Sequence, residues 1–156
     1  MIGGLSHDAN AYAALLNDAA GVDRLARFFS EGHAAVENAV ERLRLRQARA
    51  LLAEADDENV VGVLELVRCD SGSAELGLIV SASWRRLGIG TALLMETVAM
   101  STQCLELRQL IAITRYENFP ARRLLRRCDA AVSMLNSGIL RWTLALQRPA
   151  AIAAGV

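Results

Sequence analysis

The chain has 156 residues, of which 53% are hydrophobic and 22% charged, a balance typical of one folded domain rather than a disordered chain. No apolar run approaches the roughly 18 residues of a membrane-spanning helix, and the N-terminus lacks the basic and apolar segments of an export signal. Its three cysteines (Cys69, Cys104 and Cys128) lack the spacing of a disulfide framework or a zinc site, so we expect a cytoplasmic protein without a metal.

The net charge of zero hides an asymmetry between the two parts of the chain. Residues 1–84 carry 7 Arg and 13 acids, a balance of −6, whereas residues 85–156 carry 10 Arg and 4 acids, a balance of +6. A basic second part favours an anionic ligand. Nucleic acid is the less favoured ligand, because no aromatic residues alternate with the arginines. We therefore expect neither nucleic acid nor a membrane as a partner.

The first part of the chain predicts a short strand and three helices. The strand covers residues 2–5, and Ser6 is expected to cap a helix that reaches about Leu16. Apolar residues at helical spacing predict two further helices, through Val22, Leu25 and Phe29 and through Val36, Val40 and Leu43. The composition of residues 44–54 favours a helix, whereas the alternation of apolar and polar residues favours a strand.

The remaining elements alternate between strands and helices, separated by turn residues. Strands are expected over residues 60–68, 74–80, 105–113, 130–135 and 139–146, and helices over residues 91–100 and 118–127. Asn118 is expected to cap the last helix, with Pro120 in its first turn. The pattern predicts one domain over residues 1–146, a mixed sheet flanked by helices, and a flexible tail over residues 147–156.

The segment 79–91 combines the end of a strand, a basic loop with two glycines and the start of a helix. The first amides of a helix point out of its N-terminus and, with the helix dipole, form a site for an anion such as phosphate. Arg85 and Arg86 add charged donors, and Gly88 and Gly90 let the backbone approach a bulky group. A P-loop is excluded because the chain has no lysine, and a dinucleotide fingerprint lacks its third glycine. A basic helix start that binds nothing is the alternative.

Arg85-Arg86-Leu87-Gly88-Ile89-Gly90 resembles the [Gln/Arg]-x-x-Gly-x-[Gly/Ala] pyrophosphate loop of the Gcn5-related N-acetyltransferase (GNAT) family. The order of predicted elements resembles that family from about residue 2 to residue 146. The resemblance implies a strand near residues 48–54 and an α/β (α+β) fold with a mostly antiparallel sheet. It also implies direct transfer of an acetyl group from acetyl-CoA to a primary amine, on a protein lysine or a small molecule. Three short segments resemble bacterial protein-lysine acetyltransferases: 27–29, 74–76 and 138–141.

The resemblance implies a cofactor site built mainly from main-chain groups. The pyrophosphate is expected on the amides of residues 86–91, beside the side chains of Arg85 and Arg86, whose alternative is simple solvation. The pantetheine arm is expected to pair with the exposed edge of a strand that a bulge splays. Asn118 is expected near the pantetheine as well as at the helix cap. The expected cofactor-binding residues are Leu78, Ile79, Val80, Arg85, Arg86, Leu87, Gly88, Ile89, Gly90, Thr91 and Asn118.

Two expected catalytic residues follow from the same resemblance. The amide of Val80 matches the position that polarises the thioester carbonyl. Glu75 matches a glutamate that deprotonates the amine, directly or through water; a simple strand-end charge is the alternative, and Glu65 is the reserve base. Many members of the family place a tyrosine acid where this chain has Leu125, and the direction of Tyr116 is open.

Two alternatives to catalysis accompany this interpretation. A domain of the same fold that binds acyl-CoA without catalysis is favoured by the missing tyrosine, and an unrelated phosphate-binding protein is the more distant alternative. The arginines of the last helix are expected on a solvated face, with the 3′-phosphate or an acidic partner as alternatives: Arg122, Arg123, Arg126 and Arg127. The sequence leaves the choice between a monomer and a homodimer open.

Overall fold

The computed structural model of the protein describes residues 2–6, 8–19, 33–55, 59–103 and 105–146. In this part of the chain, seven strands form one sheet in the order β1-β2-β3-β4-β5-β7-β6. The strands are β1 (Ile2–Ser6), β2 (Ala48–Glu54), β3 (Val60–Arg68), β4 (Ser73–Val80), β5 (Gln109–Arg115), β6 (Ala131–Asn136) and β7 (Ile139–Ala145). The α-helices are α1 (Ala9–Asp18), α2 (His33–Arg44), α3 (Ile89–Gln103) and α4 (Phe119–Arg127). Among the strands of the described residues, only the β4–β5 pair is parallel, so the expected mixed, mostly antiparallel fold is confirmed.

Helices cover both faces of the sheet, and each face has its own apolar core. On one face, α1 and α2 bury residues such as Tyr12, Leu16 and Leu43 against β2, β3 and β4. On the other face, α3 and α4 bury residues such as Leu93 and Leu125 in a larger cluster. The sheet is thus the middle layer of three, as burial of its two apolar faces requires.

The beginnings of two helices depend on polar side chains that accept main-chain hydrogen bonds. Asp8, rather than Ser6, caps α1, because its Oδ1 accepts from the N–H groups of Asn10 at 3.1 Å and Ala11 at 3.0 Å, while Ser6 ends β1. The cap predicted at Ser6 is therefore wrong by two residues. Asn118 caps α4 as predicted, with its Oδ1 accepting from the Ala121 N–H at 3.2 Å.

One further boundary differs from the sequence prediction, and one ambiguity is settled. Residues 48–54 form a strand, and only Arg49 and Glu54 are exposed, because helices cover both faces of the sheet. β5 begins at Gln109 rather than near residue 105, because Glu106 has a positive φ of 53° and interrupts the extended backbone. The predicted second helix, Cys104 and the tail over 147–156 lie outside the described residues. Within the described ranges, no helix has the length and apolarity needed to cross a bilayer.

Candidate active site

A gap in the sheet opens between β4 and β5. The two strands pair in parallel from Ser73 with Gln109 to Leu76 with Ala112, and no further. Beyond Leu76, β4 stays paired with β3 on its other side as far as Val80. The β3–β4 register runs without a shift, so the bulge expected in β4 is absent. The gap arises instead because β5 leaves its neighbour beyond Ala112.

The main-chain groups of Leu78 and Val80 point into this gap. The Ser81 N–H donates to the Val61 carbonyl at 2.8 Å, and the Cys69 N–H donates to the Ser73 carbonyl at 2.9 Å. In an antiparallel pair such bonds recur at every second residue, so the odd-numbered residues of β4 face β3 and the even-numbered ones face away. The carbonyl of Val80 accepts from Arg85 Nε at 2.9 Å, which agrees with this direction.

The start of α3 presents unpaired main-chain amides beside the open end of the gap. The first helical bond runs from the Ala92 N–H to the Gly88 carbonyl at 2.9 Å, so the N–H groups of Ile89, Gly90 and Thr91 have no partner within the helix. Arg86 and Gly88 have positive φ values of 64° and 87°. Left-handed residues among right-handed ones turn successive amides toward one point, which is the geometry of an anion-binding nest.

The two glycines of the loop have different steric surroundings. A Cβ added at Gly88 would meet nothing within 4 Å, so the loop is open on that side. A Cβ added at Gly90 would lie 3.4 Å from Leu78 Cδ2 and 3.8 Å from both Leu124 Cδ2 and Val80 Cγ2. These are ordinary van der Waals distances, so an alanine at residue 90 would also fit between β4 and α4. The open amides fit an extended ligand that carries a diphosphate at one end.

A cleft of about 760 Å³ runs from this loop along the edge of β4 to the vertex of the gap. The cleft lies within the size range of small-ligand sites. All predicted site residues line the cleft except Leu87. The lining residues that were predicted are Glu75, Leu78, Ile79, Val80, Arg85, Arg86, Gly88, Ile89, Gly90, Thr91 and Asn118. Leu87 precedes α3, and its side chain is 67% exposed.

Glu75 lies next to the vertex of the gap, on the face that α1 and α2 cover. It alternates along β4 with Gly77 and Ile79, and Ile79 belongs to the core beneath those two helices. Its side chain is exposed. The loop before α3, residues 85–90, is at the other end of the cleft. A ligand that spans the cleft from this loop would therefore bring its far end near the Glu75 carboxylate.

Glu65 is fully buried and forms a polar cluster with α1 and α2. Its Oε2 accepts from the Tyr12 hydroxyl at 2.8 Å, and its Oε1 accepts from Arg42 Nη2 at 3.2 Å. Glu65 lies directly opposite Gly77 in the β3–β4 register. Both carboxylate oxygens are engaged, so the reserve base is the less available of the two acids. The cluster was missed from the sequence, although a single acid within the apolar strand β3 requires a buried partner.

The structure corrects the expectation of a solvated arginine face on α4 at one position. Arg122 is 9% exposed, donates from Nη1 to the Tyr116 carbonyl at 2.7 Å and lies 4.2 Å from the centroid of the Tyr116 ring. Its partners therefore hold it against the end of β5. Arg123 and Arg127 are exposed and line the cleft.

Leu125 occupies the position where many family members have a tyrosine acid, and Tyr116 does not replace that acid. Leu125 is 3% exposed within the core between α4 and the sheet. Tyr116 does not line the cleft and is 47% exposed elsewhere. The leaving group in the cleft would therefore have no tyrosine proton donor at either position.

Comparison with known proteins agrees with this geometry. The model of the acetyltransferase (GNAT) family matches residues 16–130, well over half of the chain. No curated protein matched the chain significantly in sequence.

Many solved structures share the fold. Ribosomal-protein-alanine N-acetyltransferase from Brucella melitensis is 24% identical, with a TM-score of 0.75 over 94% of this chain and 99% of that one. Spermidine N-acetyltransferase from Vibrio cholerae, solved with CoA and spermine, is 17% identical, with a TM-score of 0.74 over 95% and 96%. The N-acetyltransferase PseH of Campylobacter jejuni, solved with acetyl coenzyme A, is 18% identical, with a TM-score of 0.61 over 74% and 80%. The chain belongs to the acetyltransferase (GNAT) family, whose members are N-acetyltransferases that use acetyl-CoA.

Proposed function

We propose that the protein transfers the acetyl group of acetyl-CoA to a primary amine by direct attack within a ternary complex. The observation that supports this most strongly is the continuity of the cleft from the free amides of α3, along the unpaired edge of β4, to Glu75. The diphosphate would accept hydrogen bonds from the amides of Ile89, Gly90 and Thr91. The pantetheine arm would pair with the main-chain groups of Leu78 and Val80 as an added strand.

The proposed chemistry uses two groups along β4, a main-chain donor at Val80 and a base at Glu75. The Val80 N–H, directed into the gap, donates to the thioester oxygen and stabilises its developing negative charge. Glu75 accepts the proton that the attacking ammonium must lose, because an alkylamine has a pKa near 10.4. Glu75 and Val80 are five residues apart in one strand, about 16 Å, so this proton travels to Glu75 through a chain of waters. The new C–N bond forms as the C–S bond breaks, and the thiolate departs without a tyrosine acid. The nitrogen releases its second proton to solvent as the amide forms, and the thiolate takes one proton from solvent.

The acceptor is proposed to be a cationic amine that enters from the face of α1 and α2. The part of the chain that forms those helices and β1 to β4 carries the balance of −6, and Glu75 is exposed on that face. An acidic surface attracts a protonated amine and raises its local concentration. The acceptors named for the solved neighbours, spermidine and a ribosomal-protein alanine, are both amines. A protein lysine and a small polyamine both satisfy this chemistry.

The test is a thiol-release assay with acetyl-CoA and a panel of polyamines, amino acids and lysine-bearing peptides. We expect release that depends on the amine, and Glu75→Gln should lower kcat with little change in the affinity for acetyl-CoA. The matched control is Glu96→Gln, because Glu96 is an exposed glutamate of α3 that does not line the cleft. Equal rates for the two variants would remove Glu75 from the role of base.

A second function is a sensor that binds acyl-CoA without catalysis. The observation that favours it is the buried Leu125, together with the position of Tyr116 outside the cleft. Calorimetric titration separates the two functions. Binding of acetyl-CoA without thiol release across the amine panel favours the sensor, whereas release with any amine excludes it.

A further inference from the structure

α4 brings a second group of cations to the cleft, in addition to the arginines of the loop before α3. Its nine residues include four arginines and no acid. Two of these arginines, Arg123 and Arg127, are exposed and line the cleft. Arg122 is held against Tyr116, and Arg126 is exposed outside the cleft. Residues four apart on a helix are neighbours on one face, so Arg123 and Arg127 form a pair of adjacent cations.

The stability of α4 does not explain this pair. Of the two acids nearest in sequence, Glu117 pairs with an arginine of β5 at 3.6 Å, and Asp129 forms no ion pair with Arg123 or Arg127 among the described residues. Like charges four residues apart destabilise a helix. The helix dipole favours Arg127 in the last turn, but it does not favour Arg123 in the middle. An anion bound in the cleft would stabilise both side chains.

The pair lies close to the loop before α3. Leu124 adjoins Arg123 in the chain, and its Cδ2 is 3.8 Å from the position of a Cβ added at Gly90. The same Cβ position is 3.4 Å from the Leu78 side chain of β4, so the first turn of α3 has both β4 and α4 as neighbours. The pantetheine arm is proposed to follow β4. The part of the ligand on the other side of its diphosphate would therefore have α4 as its neighbour.

We propose that Arg123 and Arg127 bind the 3′-phosphate of acetyl-CoA. This inference rests on acetyl-CoA as the ligand of the cleft, but it does not depend on acetyl transfer. Acetyl-CoA carries a diphosphate and, on the ribose beyond it, a separate phosphomonoester. The main-chain amides of α3 suit the diphosphate. The phosphomonoester carries about 1.5 to 2 negative charges near pH 7, which two guanidinium groups can balance through paired hydrogen bonds to its oxygens.

An acidic segment of an acceptor protein fits the pair less well than the nucleotide does. The acceptor is proposed to enter from the face of α1 and α2, whereas α4 covers the opposite face of the sheet. Glu75, where the acceptor amine would lose its proton, is at the other end of the cleft from the loop before α3. The cofactor passes this loop in any case, so its 3′-phosphate can reach the pair without a further partner.

The first test is calorimetric titration of the full chain with CoA and with dephospho-CoA, which differ only in the 3′-phosphate. An exposed charge pair changes affinity by up to about 5-fold, so two contacts predict a preference for CoA of about 25-fold. The double variant Arg123→Gln, Arg127→Gln should bind CoA and dephospho-CoA equally, with an unchanged affinity for dephospho-CoA. Glutamine favours a helix about as well as arginine, so the circular dichroism spectrum should not change.

Arg126→Gln is the matched control. It removes the same charge from the same turn of α4 as Arg127→Gln, but Arg126 does not line the cleft. The control should therefore keep the preference for CoA. A control that loses as much of the preference as Arg127→Gln would show a general effect of charge and overturn the proposal.

The other outcomes are equally distinct. Equal affinity of the wild type for both ligands would overturn the proposal, and so would a double variant that keeps the preference, which would leave the pair to an acidic partner. An equal loss of affinity for both ligands would place the arginines on the diphosphate and would also overturn it. Binding of neither ligand would reject the proposed function as well. A preference for CoA without thiol release would contradict acetyl transfer alone.

The second test uses salt. Arg123 and Arg127 are exposed, so dissolved ions screen their charges, and the Debye length falls from about 10 Å at 0.1 M to about 3 Å at 1 M. The preference of the wild type for CoA should shrink over this range, whereas the double variant should show no preference at either concentration. A preference that salt leaves unchanged would contradict recognition of the 3′-phosphate by two exposed arginines.

Discussion

The clearest test of the phosphate loop is a matched pair of glycine substitutions. Gly88 and Gly138 have positive φ values of 87° and 82°, and a Cβ added at either would meet nothing within 4 Å. Gly88 lies in the cleft, whereas Gly138 lies in the β6–β7 turn and does not line it. Alanine at either position should therefore impose the same backbone strain of about 1–2 kcal/mol. For a chain of this length, that strain lowers Tm by about 2–8 °C.

Aspartate separates strain from ligand binding. A carboxylate at residue 88 would lie about 5 Å from a diphosphate, which costs about 3 kcal/mol at an effective dielectric constant near 20. Affinity should then fall about 100-fold. At an acetyl-CoA concentration of 100 Kd, the native protein gains about 2.7 kcal/mol, or roughly 5–10 °C in Tm. Gly88→Asp should lose nearly all of that shift, while Gly138→Asp should keep it.

The assay is differential scanning fluorimetry with and without acetyl-CoA, supported by calorimetry for Kd. The comparison within each protein removes the effect of strain on Tm, because both members of the pair start from a similarly strained loop. If Gly88→Asp and Gly138→Asp showed equal shifts, the diphosphate would not be bound at the start of α3. The family membership would stand, and the assignment of the loop would be wrong.

Three further predictions concern stability. Tyr12→Phe should lower the free energy of unfolding by about 1 kcal/mol through loss of one hydrogen bond. The double variant Tyr12→Phe, Glu65→Leu should be less destabilising than the sum of its two single changes. Additive effects in urea unfolding would contradict the cluster of Tyr12 and Glu65. Gly62→Ala should cost about 1–3 kcal/mol, because its Cβ would lie 3.1–3.2 Å from two side chains of α3; an unchanged denaturation midpoint would show that α3 yields. The Ser73 hydroxyl lowers the pKa of Asp70 from 3.8, so the stabilising effect of Asp70 is complete above that value and lost as pH falls through the lower folded pKa. Asp70→Ala should therefore lower Tm at pH 7 by an amount that shrinks as the pH falls below 3.8, and a Tm difference that does not depend on pH would contradict this.

Sequence patterns predicted most elements because burial of apolar faces determines them. The choice between a helix and a strand at residues 48–54 depends on strand pairing. This segment lies between β1 and β3, where a helix could not complete the sheet. The cap of α1 was misplaced because Ser6 and Asp8 are both good caps, and the extension of β1 to Ser6 decides between them. Such choices depend on contacts distant in sequence, which local propensity does not contain.

The site shows the same division between local and distant information. The glycines and arginines of the loop are local signals, and the structure brings them to one cleft. The gap between β4 and β5 could be predicted only with the order of strands in the sheet. The burial of Arg122 could be predicted only with the position of Tyr116. Leu87 is exposed because it lies in the loop before α3, which begins at Ile89.

The most direct test of the central claim is a ¹H–¹⁵N correlation spectrum recorded while acetyl-CoA is added. If main-chain nitrogens at the start of α3 hold the diphosphate, the amide signals of Ile89, Gly90 and Thr91 should shift strongly downfield, and adenosine diphosphate alone should move them the same way. Acetyl-CoA that binds while those three signals stay in place would contradict the account.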